Sequence, residues 1–387
     1  MLQVLHVITD LDRGGAETVL YRLLLNTTEN IHQRHVVVSL RDRGFFGDKL
    51  EAVGVPVYSL GMGGALNFPG ALYQLVKLMR SLRPDIVQTW LYHADLLGGF
   101  AAQFCGRPPV IWGVHTVHLD PSSSPLTKMI RRLCAWTSAW LPSTILCVAR
   151  AAVESHAALG YVRDKMQIVP NGFDLPNIEA LCTEARVLRS SLGFEKHHQV
   201  IGCVGRFHPD KDYPTFLRAA FLLKECYPDV RFLLVGKSLS PSNEELMSWV
   251  AEAGLQDFVV TLGERNDIST CLLAMDLFCL PSKTEAFPLA LGEAMAAGRP
   301  VITTDVGDAA LLVGDAGIIV PAGDPKRLCD GLQRMLQFSY TERQELGAAA
   351  RQRIEDGFSI QSMVSRIHDI YRIVSDQQSK FLFNRRN

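Results

Sequence analysis

At 387 residues, with 48% apolar and 20% charged residues, the chain is long enough for two or three domains and rich enough to bury a large core. That composition excludes a disordered chain, and a formal net charge of −1 removes the electrostatic case for nucleic acid as a partner. Nine cysteines without a Cys-x-x-Cys pair fit free thiols in a reducing compartment, with no disulfide framework and no zinc site.

In chain order, Gln3 to Thr9 reads as a buried first strand, not a signal peptide, because it lacks a basic start and a cleavage signal. A cytoplasmic location is expected. The turn Asp12-Arg13-Gly14-Gly15-Ala16-Glu17 follows, then a helix over Thr18–Leu25; two glycines at a strand-to-helix turn allow close backbone approach to a ligand. Strands are expected at His35–Leu40, Val55–Ser59, Ile86–Trp90 and Val110–Val114, with a helix at Ala71–Leu82. Such alternation is the signature of a doubly wound parallel sheet. His93 and His115 both follow strands, in what reads as loop, and His115 lies at the carboxyl edge of a parallel strand where ligands bind. His118 is close enough that the sequence does not separate the two.

The uncharged run Leu133–Ala149 is shorter than a membrane span, and Pro142-Ser143 splits it into a helix end and a strand at Thr144–Ala149. Just before and within it, Lys128, Arg131, Arg132, Trp136 and Trp140 have the makings of an interfacial helix face, against the plainer reading of a core-packed amphipathic helix. The first pattern closes at Gln167–Asp174 with a strand and an Asn171-Gly172 turn, and the polar, helix-prone residues 177–197 read as the connection between the halves. A second alternation runs through Gln199–Gly205, Arg231–Gly236, Phe258–Leu262, Leu277–Leu280, Val301–Thr304 and Gly317–Val320. Two α/β domains are therefore expected, 1–180 and 190–360, of similar fold and different sequence.

The second half holds most of the chemistry. Arg206 and Lys211 lie five apart in a loop at a strand's carboxyl end, a planar fork and a point charge placed to grip a diphosphate. Asp210-Lys211-Asp212 has the outline of a metal motif, but its lysine supplies the positive charge that a magnesium ion would bring, so no metal is expected. Between Ser282 and Val301, Glu285 and Glu293 bracket the start of a small-residue helix, with Pro288 fitting its first position and Gly298 the position past its end. The helix start offers the backbone N–H groups of Phe287, Leu289 and Ala290 to an anion, while the carboxylates can accept from sugar hydroxyls. Arg265, in Leu262–Ile268, is a candidate for stacking on a nucleobase or an ordinary surface residue.

Together these motifs resemble glycosyltransferase family 4, retaining enzymes of the GT-B fold, two facing Rossmann-like domains with an interdomain cleft. The resemblance rests on Gly14-Gly15-Ala16-Glu17, His115-Thr116, Asn171-Gly172-Phe173-Asp174, Gly205-Arg206 with Lys211, and the Glu285/Glu293 pair with seven residues between them. It implies an acceptor-binding first domain, a donor-binding second one, and a closing helix at about 361–376 that returns to the first. Arg206 and Lys211 would bind the donor diphosphate, Glu293 the ribose, Glu285 the transferred sugar, with the N–H groups of Phe287, Leu289 and Ala290 facing sugar and phosphate. Gly14 and Gly15 would close the pocket from the other domain, and His115 matches the histidine that touches the transferred sugar in the family.

Departures are Ala286 for the usual glycine, Val306-Gly307 for Gly-Gly, and Asp308-Ala309-Ala310 without a later glutamate, which resembles the branch that builds bacterial surface polysaccharides. The implied reaction moves a sugar from a nucleoside-diphosphate donor, UDP favoured over GDP, to a hydroxyl acceptor such as a polyprenyl-linked glycan at the inner membrane face. A nucleotide-sugar epimerase on the same fold and a non-catalytic nucleotide-sugar-binding scaffold are the alternatives.

Overall fold

The structure, a computed structural model, describes residues 1–27, 33–64, 67–119 and 123–384. The chain divides into two compact units: Met1–Gly172 with Ile360–Asn387, and Phe173–Ser359.

The first unit carries β1 (Leu2–Ile8), α1 (Gly15–Leu25), β2 (Gln33–Ser39), α2 (Gly44–Ala52), β3 (Val57–Ser59), α3 (Phe68–Leu82), β4 (Ile86–Trp90), α4 (Tyr92–Gln103), β5 (Val110–Val114), α5 (Pro125–Thr137), β6 (Thr144–Cys147), α6 (Arg150–Ala158) and β7 (Met166–Ile168). Its sheet runs β3-β2-β1-β4-β5-β6-β7, and every pair is parallel. Helices cover a parallel sheet on both faces, so its central strands are mostly apolar and buried, as Val4, Leu5, Val7 and Ile8 of β1 are, with His6 on β1 and Gln88 and Thr89 on β4 the buried polar exceptions.

The second unit follows with α7 (Ile178–Ser191), β8 (Gln199–Val204), α8 (Tyr213–Cys226), β9 (Val230–Val235), α9 (Glu244–Glu252), β10 (Val259–Thr261), α10 (Ile268–Leu273), β11 (Leu277–Leu280), α11 (Leu289–Ala296), β12 (Val301–Thr304), α12 (Ala309–Val313), β13 (Gly317–Val320), α13 (Pro325–Gln337) and α14 (Tyr340–Gly357). Its parallel sheet has the order β10-β9-β8-β11-β12-β13. Phe216, Phe232, Leu234 and Leu277 pack in its core. The ends of the unit are tied together: Phe173 and Ser359 form a parallel bridge, and Phe173 N–H donates to the Phe358 carbonyl at 2.9 Å.

Last comes α15 (Ile360–Asn384), part of the first unit, where Tyr371 is fully buried and its hydroxyl donates to Gln88 Oε1 on β4. The first unit thus ends at Gly172, earlier than residue 180. The helix-prone residues 177–197 contain α7, which belongs to the second unit: Arg189 donates to the carbonyls of Ala274 and His198 and to Asp276. Leu133–Ala149 divides where Pro142 suggested, α5 ending at Thr137 and β6 spanning Thr144–Cys147.

Candidate functional site

Both sheets reverse direction once, where β4 lies beside β1 and where β11 lies beside β8. Neighbouring loops at such a reversal lead to opposite faces of the sheet and leave a crevice outside the carboxyl ends of the strands, the usual ligand position. In the second unit those two loops are residues 205–212, after β8, and 281–288, after β11.

They carry Lys211 and Glu285, and the structure joins the two. Lys211 Nζ donates to Glu285 Oε1 at 2.5 Å, and Ser282 Oγ donates to the same oxygen at 2.7 Å. The lysine and glutamate side chains are only 21% and 12% exposed, so the pair is screened less than a surface salt bridge. A second pair runs alongside: Lys283 Nζ lies 3.0 Å from Oδ1 of the buried Asp212, and Lys283 N–H donates to the Asp210 carbonyl at 2.7 Å. Asp212 adopts a left-handed φ of 48°, which turns the chain from the short 3₁₀ segment Pro209–Lys211 into α8. Arg206 sits earlier on the same loop and is exposed. The site is therefore a charged, laced pair of loops, able to meet a negatively charged ligand with cations and a hydroxylated one with a carboxylate.

Glycines make the lacing possible. Gly236, after β9, has φ 145°, and a Cβ there would come within 1.9 Å of the Gly205 carbonyl oxygen at the head of the Lys211 loop. Gly307, at φ 54°, would place a Cβ 2.3 Å from the Glu285 carbonyl oxygen, and the next residue, Asp308, donates its N–H to the Ala286 carbonyl at 3.0 Å. Gly307 thus lets the loop after β12 lie against the Glu285 loop. Ala286 itself is not among the non-glycine residues with positive φ, so this backbone does not demand the glycine usual there.

Pro288 is the N-cap of α11, with φ −72° and ψ 111°, one residue before the first helical position anticipated for it. Leu289 and Ala290 are the first two helical residues, whose N–H groups have no carbonyl one turn earlier to bond. Half-buried Glu293 lies in the second turn, and Gly298 (φ 67°) follows the helix end at Ala297. Gly292 admits Phe173: a Cβ there would lie 2.0 Å from Phe173 Cζ, and Phe173, fully buried, stacks on the buried Phe287 with ring centroids 6.2 Å apart. The Asn-Gly-Phe-Asp segment therefore supplies the aromatic floor of the glutamate-bearing helix.

Arg265 is engaged with Asp267, Nε to Oδ1 at 2.8 Å and Nη2 to Oδ2 at 2.6 Å, a planar fork that holds the Asp267 carboxyl below its ordinary range. Among the described residues no cluster of three or more His, Cys, Asp or Glu side chains could hold a metal ion. The sequence named Phe173, Gly307 and Asp212 only as members of motifs, and gave Ser282 and Lys283 no role of their own. Ser282, three residues before Glu285 and at a strand's carboxyl end, was the one with a readable signal.

In the first unit Gly14 is the N-cap of α1 in extended conformation and Gly15 its first residue, so the helix starts three residues earlier than Thr18. His115 follows β5, half-buried, its ring stacked on Trp90 at 5.0 Å and 20°; burial pushes its pKa down to about 4. Next to it is a cavity of about 20 Å³, room for one water, lined by Gln88, Gly113, Asn171 and Met363 among others. His118 is exposed. His93 is not in a loop: it is the second residue of α4, whose entry is made by Leu91 at φ 73°. On α5, Ile130, Cys134 and Ala135 face the core, while Met129, Leu133 and Trp136 are exposed beside Lys128 and Arg132, and Trp140 beyond the helix packs edge-on against Trp136. One face of this helix is therefore packed on the core, and the other carries exposed apolar and basic side chains. No helix among the described residues is long and apolar enough to cross a membrane.

Comparison with known proteins converges on one family. The family model described as Glycosyltransferase Family 4 matches residues 13–176, and that described as Glycosyl transferases group 1 matches residues 198–337. An Escherichia coli relative named UDP-Gal:alpha-D-GlcNAc-diphosphoundecaprenol alpha-1,3-galactosyltransferase is 30% identical over 309 residues, 78% of each chain. The Rhizobium meliloti lipopolysaccharide core biosynthesis mannosyltransferase LpsB is 32% identical over 199 residues, 49% of this chain and 55% of its own. Among solved structures, Anabaena HepE in complex with UDP and glucose superposes with a TM-score of 0.83 at 22% identity, covering 96% of this chain and 99% of that one. Sucrose-phosphate synthase from Thermosynechococcus elongatus gives 0.77 at 17% identity, covering 97% and 99%. With two Rossmann-like parallel sheets of the GT-B class and this match along its length, the chain belongs to glycosyltransferase family 4.

Proposed function

We propose that this glycosyltransferase moves a hexosyl or N-acetylhexosaminyl unit from a UDP-sugar to a hydroxyl of a lipid-linked glycan, with retention at the anomeric carbon, in surface polysaccharide synthesis. The observation that carries the reading is the Lys211–Glu285–Ser282 constellation at the strand reversal of the second unit. As the bond between sugar and diphosphate breaks, negative charge grows on the leaving oxygen, and a fixed ammonium beside it lowers the barrier. Lys211 and Arg206 are the cations for that role, and they take the part a metal ion plays elsewhere, so transfer is expected to survive chelation by EDTA. Glu285 accepts from the transferred sugar, Glu293 from the ribose, and the amides of Phe287, Leu289 and Ala290 face the same ligand. Arg265 lies in the loop that would receive the base, oriented by Asp267. Gly14, Gly15 and His115 are assigned to the donor by the family pattern.

The donor and acceptor classes are supported by what the E. coli relative's name states and by the UDP present in the HepE complex. Transfer is tested with UDP-galactose, UDP-glucose and UDP-N-acetylglucosamine against N-acetylglucosaminyl diphosphoundecaprenol, with the product's anomeric configuration read by NMR. Transfer that Arg206→Ala leaves at the wild-type rate would overturn the site assignment, because a charge-assisted contact of about 1.5–3 kcal/mol should cost ten- to hundredfold.

We also infer that the exposed face of α5 rests on anionic lipid. Met129, Leu133, Trp136 and Trp140 give it apolar and aromatic surface, and Lys128, Arg131 and Arg132 give it positive charge, the composition of an interfacial helix. Flotation with vesicles containing phosphatidylglycerol should carry the wild-type protein upward and leave Trp136→Gln with Arg132→Gln behind; equal flotation of both would count against this contact.

A further inference from the structure

Trp90 ends β4 and is 1% exposed, yet its ring does more than fill the core. One face lies against the His115 imidazole, and a Cβ on Gly113 would lie 3.1 Å from His115 Nε2. Among the described residues no hydrogen bond holds that imidazole, so its place is set by the indole on one side and the bare backbone of Gly113 on another.

The indole is fixed in turn. An indole N–H can only donate, and Trp90 Nε1 lies 3.3 Å from His6 Nδ1, which must therefore be the unprotonated nitrogen. His6 then carries its proton on Nε2 and donates it to His35 Nδ1 at 2.9 Å, the two rings being stacked at 5.2 Å. His35 is left with its proton on Nε2. One polar side chain on each of three adjacent strands, β4, β1 and β2, thus settles into a single sequence of tautomers. Burial suits it: His6 and His35 are 0% and 7% exposed, and desolvation keeps both neutral.

We propose that Trp90, keyed by the His6–His35 hydrogen bond, is a positioning residue for His115, which it holds in the orientation used toward the transferred sugar. This rests on the reading of His115 given above. It accounts for a hydrogen-bonded histidine pair buried on the adjacent strands β1 and β2, where valine or isoleucine would cover the same surface without needing partners.

The test is a double-mutant cycle on UDP release from UDP-galactose and UDP-glucose with N-acetylglucosaminyl diphosphoundecaprenol present, thermal unfolding being measured on every variant. Trp90→Phe keeps an aromatic face and deletes the N–H; in the wild-type background it should lower kcat/KM ten- to hundredfold, the scale of a slightly misplaced reacting group. In the His115→Ala background it should cost nothing further, because a residue that acts through His115 has nothing left to position. His6→Asn, whose amide oxygen can accept from the indole, should keep most of the activity that His6→Leu loses, giving a second readout if Trp90→Phe folds poorly. Equal losses from Trp90→Phe in both backgrounds would overturn the proposal and make Trp90 a structural residue. A silent His115→Ala would instead overturn the reading of His115, and the proposal with it.

Discussion

The two units share a topology and differ in what they place at the carboxyl ends of their strands. In the second unit the loops are held by charge: Lys211 to Glu285, Lys283 to Asp212, Arg265 to Asp267. In the first an ion pair between such loops, Arg41 to Asp10 at 3.9 Å, is exposed on its arginine side. The buried polar groups behind the strand ends are joined there by neutral hydrogen bonds within strands and helices: Trp90 at the end of β4 to His6 in β1, His6 to His35 in β2, and Tyr92 O–H to His156 Nε2 at 2.8 Å while His156 Nδ1–H donates to the Ala152 carbonyl. The contrast follows the chemistry each side would meet. A leaving diphosphate calls for fixed cations, whereas sugars and their hydroxyls are read by neutral donors and acceptors. One scaffold therefore supports either kind of site, because the backbone fixes only where the loops emerge.

The largest effect should come from acid, and it should fall on the first unit. Burial holds His35, His115 and His156 down to about 4 and His6 well below its ordinary value. Unfolded histidines take up protons near pH 6.5, so between about 6.5 and 4 the unfolded chain binds more protons and stability falls with pH, levelling off below. For the fully buried His156 alone the loss is on the order of 3 kcal/mol across that window. Trp90, Trp112, Trp136 and Trp140 lie in the first unit, so a Trp249→Phe background makes fluorescence report that unit only. Urea midpoints that stay flat from pH 6.5 to 4 would contradict the neutral-histidine picture.

Next in size is the charged pair. Lys211→Met leaves the mostly buried Glu285 without its cation, which should cost about 3 kcal/mol of stability and abolish most transfer. Adding Glu285→Gln should restore stability and leave transfer lost, since the uncompensated charge is gone but the cation is still missing. If the double variant is no more stable than Lys211→Met, the pair is not what holds the two loops.

Much of this was legible from the residues. Strands Ile86–Trp90, Val110–Val114, Leu277–Leu280, Val301–Thr304 and Gly317–Val320 were readable to the residue because runs of Val, Ile and Leu are what a sheet buried on both faces requires. Helices α2 and α4 were not: α2 begins Gly44-Phe45-Phe46-Gly47, poor helix formers, and α4 is buried on so many sides that it lacks an amphipathic stripe. The lysine and the glutamate could be singled out as candidates, since both follow strands. That they pair, and that Ser282 joins them, depends on β8 lying beside β11, which local sequence does not encode. The His6–Trp90 bond spans strands 84 residues apart and was invisible for the same reason.

A smaller effect is expected where the charged side depends on a glycine. Gly307→Ala keeps every charge but adds a methyl at φ 54°, 2.3 Å from the Glu285 carbonyl oxygen. A left-handed alanine costs roughly 1–2 kcal/mol, and the loop after β12 must retreat as well. Stability should fall by about 2 kcal/mol, while transfer falls further because Glu285 moves with its loop. Unchanged transfer would mean that the Glu285 loop keeps its place without this contact.

The smallest tests the outer edge of that charged side. Arg265 and Asp267 are 35% and 41% exposed and make an ideal bidentate fork, so Asp267→Asn should cost within about 1 kcal/mol of stability. Its use in binding is separable from that. If the loop receives the base, freeing the guanidinium should raise KM for the UDP-sugar a few-fold with kcat unchanged, the mark of a contact made equally in ground and transition states. An unchanged KM would return Arg265 to ordinary surface, and the charged architecture of the second unit would then end at the loops that hold Lys211 and Glu285.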